Sequence, residues 1–157
     1  MNRKNSATPE QAFMKLKHYC AYQERCHQEV KEKLYGFGLM KTEVEKLLSR
    51  LIEENYLNEE RFACLFAGGH FRQKQWGKVK IVYALRQKKV SEYNIKKALK
   101  EIDMAEYEKV AEKLVKTKWT SLKKEQYRNR EAKTTAFMLQ KGYEPALIQS
   151  LLIKIRL

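Results

Sequence analysis

Glycine and proline are scarce in this sequence, with 6 and 2 copies among 157 residues. Few turn formers argue against a fold built from many short strands, and the composition is too rich in apolar residues for a disordered chain. Lysine, glutamate, leucine and alanine are abundant, and these residues favour helix. The composition therefore predicts an all-α protein.

Long apolar runs are also missing. No stretch of 18 apolar residues occurs, so no membrane-spanning helix is predicted. The opening residues MNRKNSATPEQAF lack the apolar core of a secretory signal, which indicates a cytoplasmic protein. The three cysteines show no framework spacing, as expected of reduced thiols. Cys20 and Cys26, with His18 and His27 beside them, raise the alternative of a metal site. Six helical residues turn through about 240°, so the two thiols would face apart and no metal is predicted.

Recognisable catalytic motifs are absent as well. The sequence has no phosphate-binding loop, GxSxG, HExxH or CxxC motif. His70 lies in AGGHF, which is a weak signal because no strand or phosphate-loop spacing accompanies it. The acidic pairs 53–54 and 59–60 fall at a helix end and a helix start, where a structural role suffices. The sequence predicts neither an enzyme nor a cofactor.

Positive charge is present in excess and is concentrated. The net charge is +14. Residues 71–100 hold ten basic residues against Glu92 alone, a segment charge of +9, and residues 113–133 hold eight against two, or +6. Such segments favour polyanions or acidic protein surfaces as partners, although a merely solvated basic surface is the plain alternative. Trp76 and Tyr83 lie within the first segment, where we expect them to be core or boundary residues rather than stacking platforms.

One helical corner recurs three times, at 34–48, 85–99 and 138–152. Each copy has an apolar anchor, an apolar corner residue five positions later, and further apolar residues five and nine positions beyond that. The corner residues are Leu39, Val90 and Tyr143. Any two amphipathic helices joined by a turn share part of this pattern, but four matched offsets favour a true repeat of three helices. Lys89 occupies the position held by glycine in the other two corners, so it is either left-handed or the middle corner turns differently.

Local signals place the helix ends. Thr8 with Gln11 forms a predicted capping box, and Thr42 with Glu45 and Asp103 with Glu106 form two more. A helix is predicted over 26–35, and Asn58 and Ser91 are expected to open two others. Gly68-Gly69 is expected to weaken its helix, and the stretch through 119–121 to be irregular. Two final helices are predicted at about 129–140 and 145–156.

The sequence resembles the RecX family, bacterial modulators of the RecA recombinase. Three segments carry the resemblance, YLNEERFACLF, WGKVKIVYALRQKKV and FMLQKGYEPALIQSLL, which together with their spacing cover roughly residues 26–157. Lys89 departs from the glycine usual in the family. The resemblance implies an elongated, curved array of three three-helix repeats, with boundaries at 1–57, 58–102 and 103–157.

The resemblance further implies a negative regulator that binds in the groove of the RecA filament on single-stranded DNA. Such a regulator limits filament extension or promotes disassembly, and so lowers ATP hydrolysis, strand exchange and coprotease activity. The residues predicted to bind the partner are Arg72, Lys74, Lys78, Lys80, Arg86, Lys88, Lys89, Lys96 and Lys97. Arg61 and Gly77 match the family segments but are expected to be partly structural and a turn, respectively.

Two alternatives remain open at this stage. The first is a monomeric helical protein that binds single- or double-stranded DNA directly through its basic face, with a steep dependence on salt. The second is an adaptor for another acidic protein. No membrane or metal partner is predicted in any of these readings.

Overall fold

The computed structural model describes residues 6–156, and over that range all regular secondary structure is α-helical. Turns and short loops join the helices, and the absence of strands in this range confirms the predicted all-α class. Successive helices form three sets of three. They are α1 (Pro9–Tyr22), α2 (His27–Gly36), α3 (Lys41–Glu53), α4 (Glu59–Lys74), α5 (Lys78–Gln87), α6 (Glu92–Lys100), α7 (Met104–Ser121), α8 (Tyr127–Lys141) and α9 (Pro145–Arg156).

Several helix starts follow the predicted caps. The Thr8 hydroxyl accepts from the Gln11 N–H at 3.2 Å while the Gln11 side chain accepts from the Thr8 N–H at 3.0 Å, so the first capping box is confirmed. The Asn58 side chain caps α4 by accepting from the Arg61 N–H at 2.9 Å. The Ser91 hydroxyl likewise accepts from the Asn94 N–H at 3.3 Å at the start of α6.

Other local predictions were wrong. The α3 helix begins at Lys41 rather than after Thr42, and the Glu43 carboxylate accepts from the Met40 N–H at 3.3 Å, so the box with Glu45 does not form. Asp103 is the residue before α7, but its side chain makes no capping hydrogen bond. The stretch through 119–121 is helical rather than irregular. Gly68-Gly69 lies inside α4, so the expected weakening of that helix by glycine stays a prediction.

The three corners share a left-handed residue at the same position. Gly38, Lys89 and Gly142 are all left-handed, with φ of 83°, 62° and 97°. In the second and third corners the N–H of the corner residue, Val90 or Tyr143, donates at 3.1 Å to the carbonyl of the residue five positions upstream. This bond is the Schellman pattern that ends a helix at a left-handed residue. Lys89 therefore takes the left-handed conformation of the two glycines, and the middle corner has the same hydrogen bond as the third.

The strain at Lys89 is measurable. We expect Lys89→Gly to be more stable than Lys89→Ala by about 1 kcal/mol, because only alanine keeps a Cβ in the left-handed region. Urea unfolding followed by far-UV circular dichroism measures the difference. The paired control is Lys96, which is exposed within α6, where Lys96→Ala should be the more stable of the two by a similar amount. Equal stability of the two Lys89 variants would contradict a strained corner.

The chain packs as two compact units. The first extends to Leu65 and includes Leu85–Lys97, and the second comprises Phe66–Ala84 and the described residues from Ala98 onward. The helices α4, α5 and α6 each contribute to both units. Division by packing and division by sequence repeat describe different properties, so the predicted repeat boundaries at 57/58 and 102/103 stay a prediction.

Each unit has its own core. In the first, α1, α2 and α3 pack together around Phe13, Leu16, Leu34 and Leu51. In the second, α7, α8 and α9 pack against one another, and the rings of Phe71, Tyr107 and Tyr143 form a buried series with centroids 5.7 and 5.3 Å apart. The corner residues Leu39, Val90 and Tyr143 are all buried, as the repeat pattern predicts.

Candidate functional site

The nine predicted binding residues divide between the two units. Arg72, Lys74, Lys78 and Lys80 belong to the second unit, and the other five belong to the first. Each group is therefore described within its own unit. All nine residues lie in helices α4–α6 or in the turns that join these helices.

In the second unit two of the basic residues, Lys74 and Lys80, contact Trp76, which is half-buried. The ring of His70 lies 4.5 Å from that of Trp76, and His70 also stacks on Phe66 at 3.9 Å. The ammonium groups of Lys80 and Lys74 lie 4.7 and 5.5 Å from the Trp76 ring centroid. Because His70 and two lysines already contact this indole, it is occupied within the protein and is a poor platform for a nucleic-acid base.

The start of α5 is fixed by the third corner. The Gly77 N–H donates to the Lys141 carbonyl at 2.8 Å, and the Val79 N–H donates to the Gly142 carbonyl at 2.9 Å. Between them, the Lys78 N–H donates to the Tyr107 hydroxyl at 2.9 Å. These three bonds satisfy backbone donors that a helix start leaves without partners, so the region around Lys78 and Lys80 is rigidly held.

The half-buried carboxylate of Glu144 completes this arrangement. The Tyr107 hydroxyl lies 2.9 and 3.0 Å from the two Glu144 oxygens, to which it donates. Burial raises the pKa of Tyr107 well above its ordinary value, and the nearby Glu144 adds to the rise, so the hydroxyl stays protonated. Lys78 extends over the Tyr107 ring, with its ammonium 4.8 Å from the centroid. Gly77 thus forms the turn that was expected of it.

In the first unit, three of the predicted cations already have carboxylate partners. Arg86 donates to both oxygens of Glu92 at 2.7 and 3.1 Å, which holds the pKa of that carboxyl below its ordinary value. Lys88 pairs with Glu29 at 3.4 Å. Lys97 pairs with Glu60 at 3.4 Å. These three residues offer less uncompensated charge to a partner than the sequence count suggests.

Lys89 and Lys96 differ from those three. Both are exposed, and within residues 6–156 neither has a carboxylate at ion-pair distance. Lys89 stands at the tip of the middle corner and Lys96 on α6. They are the cations of the first unit's predicted set that are best placed to contact an acidic partner.

A second set of polar contacts in the first unit is centred on Glu59 and Arg61. The Glu59 carboxylate accepts from the Ser91 N–H at 2.8 Å and the Asn94 amide at 3.0 Å, and it lies 3.5 Å from His27. Burial alone would raise the pKa of Glu59, but these hydrogen bonds outweigh burial and lower it. Arg61 donates to Glu24 and, at 3.1 Å, to the Asn55 carbonyl. Arg61 thus makes structural contacts, as expected.

The prediction for one aromatic residue was wrong. Tyr83 was expected in the core or at its boundary, yet 66% of it is exposed. Ile81 and Leu85 are fully buried on either side of it. Since each helical residue turns about 100°, a residue two positions from both lies on the opposite face of α5. The spacing alone could therefore have placed Tyr83 on the surface.

Groups that could support chemistry do not converge. His70 Nδ1 lies 2.8 Å from the Phe66 carbonyl, and His27 faces Glu59. Burial raises the pKa of both Cys20 and Cys26 to about 11, so these thiols stay protonated. Across the described part of the chain, no three His, Cys, Asp or Glu side chains are placed to hold a metal ion. No helix among those residues is long and apolar enough to cross a bilayer.

Comparison with known proteins identifies similar sequences and structures. Models of the second and third three-helix domains of RecX match residues 58–99 and 106–152. A regulatory protein RecX from Pelodictyon phaeoclathratiforme is 33% identical over 79% of this chain and 76% of its own. One from Clostridium perfringens is 32% identical over 76% of this chain and 57% of its own. The chain spans about half the length of several such relatives.

A solved structure has the same fold. The crystal structure of RecX from Lactobacillus salivarius superposes with a TM-score of 0.86, at 18% identity, over 94% of this chain and 96% of that one.

Proposed function

The chain belongs to the RecX family, and we propose that it is a negative regulator of the RecA recombinase in DNA repair and recombination. In this proposal it binds in the groove of the RecA filament on single-stranded DNA and limits extension or promotes disassembly. ATP hydrolysis, strand exchange and coprotease activity of the filament then fall. It acts in the cytoplasm, as a monomer, without a cofactor and without catalysis of its own.

The observation that carries this proposal is the concentration of positive charge in the middle repeat. Residues 71–100 hold ten basic residues and one acid. Lys89 and Lys96 are exposed there with no carboxylate at ion-pair distance in the described chain, and Lys89 occupies a left-handed position that normally favours glycine. A strained residue that carries a free charge fits a role in contact with a partner.

The repeat architecture supports the choice of a filament. A helical filament presents the same groove at regular intervals, and a tandem array of three-helix units can make several contacts with it. Linked contacts raise the overall affinity far above that of each contact, because the second becomes intramolecular once the first has formed. Individually weak, partly screened lysine contacts then suffice.

The test is the ATPase rate of RecA on single-stranded DNA, titrated with this protein. The wild type should inhibit. Replacing Lys74, Lys89 and Lys96 with glutamate should raise the half-inhibitory concentration by about tenfold, or about 1.4 kcal/mol. These three are preferred to Lys88 because Lys88 is paired with Glu29, and its reversal would also disturb the fold. Circular dichroism should show unchanged helicity.

A charge-matched control separates a specific surface from net charge. Lys31, Lys41 and Lys46 are exposed residues of the first repeat, and their replacement with glutamate changes the net charge equally. This control should inhibit as the wild type does. If the Lys74, Lys89 and Lys96 variant also inhibits fully, the middle repeat is not the binding surface. If the wild type never inhibits, the regulatory proposal itself fails, and recovery of another acidic protein would favour the adaptor.

A further inference from the structure

The corner between α7 and α8 carries three cations that form no ion pair in the described chain. Lys123, Lys124 and Arg128 are exposed there, and none has a carboxylate at ion-pair distance within residues 6–156. The segment 113–133 contains only two acids, Glu125 and Glu131.

Both of these acids are already engaged by other cations. Glu125 accepts from Lys133 at 2.6 Å, and Glu131 accepts from Arg156 of α9. The local acids therefore cannot compensate the three corner cations. Three unneutralised like charges in six residues repel one another, and an anionic partner would relieve that repulsion.

An exposed aromatic ring stands in the middle of this corner. Tyr127 is 53% exposed and lies edge-on to the buried Trp119, with centroids 5.8 Å apart and an interplanar angle of 83°. Trp119 is held in turn by Arg130, whose guanidinium lies 4.0 Å from the indole centroid and whose Nε donates to the Trp119 carbonyl at 2.8 Å. The guanidinium of Arg156 also lies over the Tyr127 ring, 5.6 Å from its centroid. Tyr127 is thus held by Trp119 and Arg156 while about half of its surface faces solvent.

We propose that this corner, formed by Lys123, Lys124, Tyr127 and Arg128, is a binding site for single-stranded nucleic acid. The cations contact phosphates, and the Tyr127 ring stacks on an unpaired base. The exposed ring favours a single strand over a duplex, whose bases are stacked on each other, and over an acidic protein surface, which would use the cations alone.

The inference deepens the proposed function by separating two surfaces. In the middle repeat Trp76 is covered by His70 and lysines, although Tyr83 and Tyr93 are exposed. The second surface is the α7–α8 corner, where the exposed Tyr127 lies in sequence between Lys124 and Arg128, which have no carboxylate at ion-pair distance in the described residues. The corner site rests on the proposed function only for its biological setting, since the binding itself needs no recombinase.

The decisive experiment measures binding to a labelled oligothymidylate of about 20 nucleotides by fluorescence anisotropy, with no recombinase present. Replacing Lys123, Lys124 and Arg128 with glutamine should weaken binding about tenfold at low salt. It should also reduce the slope of log affinity against log salt by about 2, since each single-strand phosphate contact contributes about 0.7. The control, with Lys31, Lys41 and Lys46 replaced with glutamine, should bind as the wild type does.

Tyr127 gives a second, independent measurement. Tyr127→Ala should weaken binding about fivefold or more with an unchanged salt slope, because stacking releases no counterions, and Tyr127→Phe should retain affinity. Failure of the wild type to bind at low salt would overturn the site. So would unchanged oligonucleotide binding by the glutamine triple variant. If that variant keeps its DNA affinity but loses ATPase inhibition, the corner contacts protein instead, and the proposed regulation survives without this site.

Discussion

Replacing Gly77 with alanine is expected to lower the free energy of unfolding by about 3 kcal/mol or more. A Cβ at this position would lie 2.3 Å from the carbonyl carbon and oxygen of Gly142 and 2.4 Å from the Tyr143 nitrogen. These are backbone atoms, which cannot move aside as a side-chain tip can. The hydrogen bond from the Gly77 N–H to the Lys141 carbonyl, 2.8 Å long, depends on the same close approach.

The matched control for this substitution is Gly69→Ala. Gly69 lies inside α4, and an added Cβ would meet nothing within 4 Å. Alanine there should raise stability by about 0.5 to 1 kcal/mol through helix propensity. Urea unfolding followed by circular dichroism at about 222 nm compares both variants with the wild type. If the free energy of unfolding of Gly77→Ala lay within about 0.5 kcal/mol of the wild-type value, the close approach of Gly77 to Gly142 would be contradicted.

The corners could be predicted because their signal is local. The corner residue and its anchor are five positions apart, and the Schellman bond joins those same two residues in the pairs Leu85–Val90 and Met138–Tyr143. The five-residue spacing between the apolar anchor and the corner residue therefore reflects the backbone geometry of the corner. The same argument explains why Lys89, despite its side chain, follows the conformation of Gly38 and Gly142.

The candidate site was harder to predict from the sequence, because the ion pairs of its basic residues depend on distant carboxylates. A count over 71–100 treats every lysine as equivalent. In the structure, Lys88 pairs with Glu29 and Lys97 with Glu60, partners 59 and 37 positions away. Segment charge cannot distinguish these from Lys89, which has no such partner in the described chain. The predicted binding role of all nine residues remains a prediction for the recombinase assay.

The hydrogen bonds that hold the start of α5 could not be predicted from the sequence, because they also depend on distant residues. The start of α5 has no side-chain cap in its own sequence, and its donors are satisfied by Lys141, Gly142 and Tyr107 from the third repeat. Only the folded arrangement brings these groups together. The close contact of Gly77 with Gly142 could therefore not be predicted, although Gly77 itself was expected to form a turn.

Tyr107→Phe is expected to cost about 2 to 3 kcal/mol of unfolding free energy, although it removes a single oxygen atom. That hydroxyl accepts from the Lys78 N–H at 2.9 Å and donates to Glu144. Tyr107 is 2% exposed, so water does not readily replace the lost partner. Phenylalanine would leave the Lys78 N–H without its acceptor and the half-buried Glu144 carboxylate without this donor, and the loss of both hydrogen bonds counts against the fold.

Tyr143→Phe is the matched control, because it removes a hydroxyl from a neighbouring and equally buried ring. The Tyr143 hydroxyl makes one hydrogen bond, to the Gln75 carbonyl at 2.9 Å, so its loss should cost about 1 kcal/mol. Thermal and urea unfolding of both variants measure the difference. Glu144→Gln, combined with Tyr107→Phe in a double-mutant cycle, should show a coupling of about 1 kcal/mol. Equal losses for the two tyrosines, with no coupling to Glu144, would mean that the Lys78–Tyr107–Glu144 chain does not stabilise the start of α5.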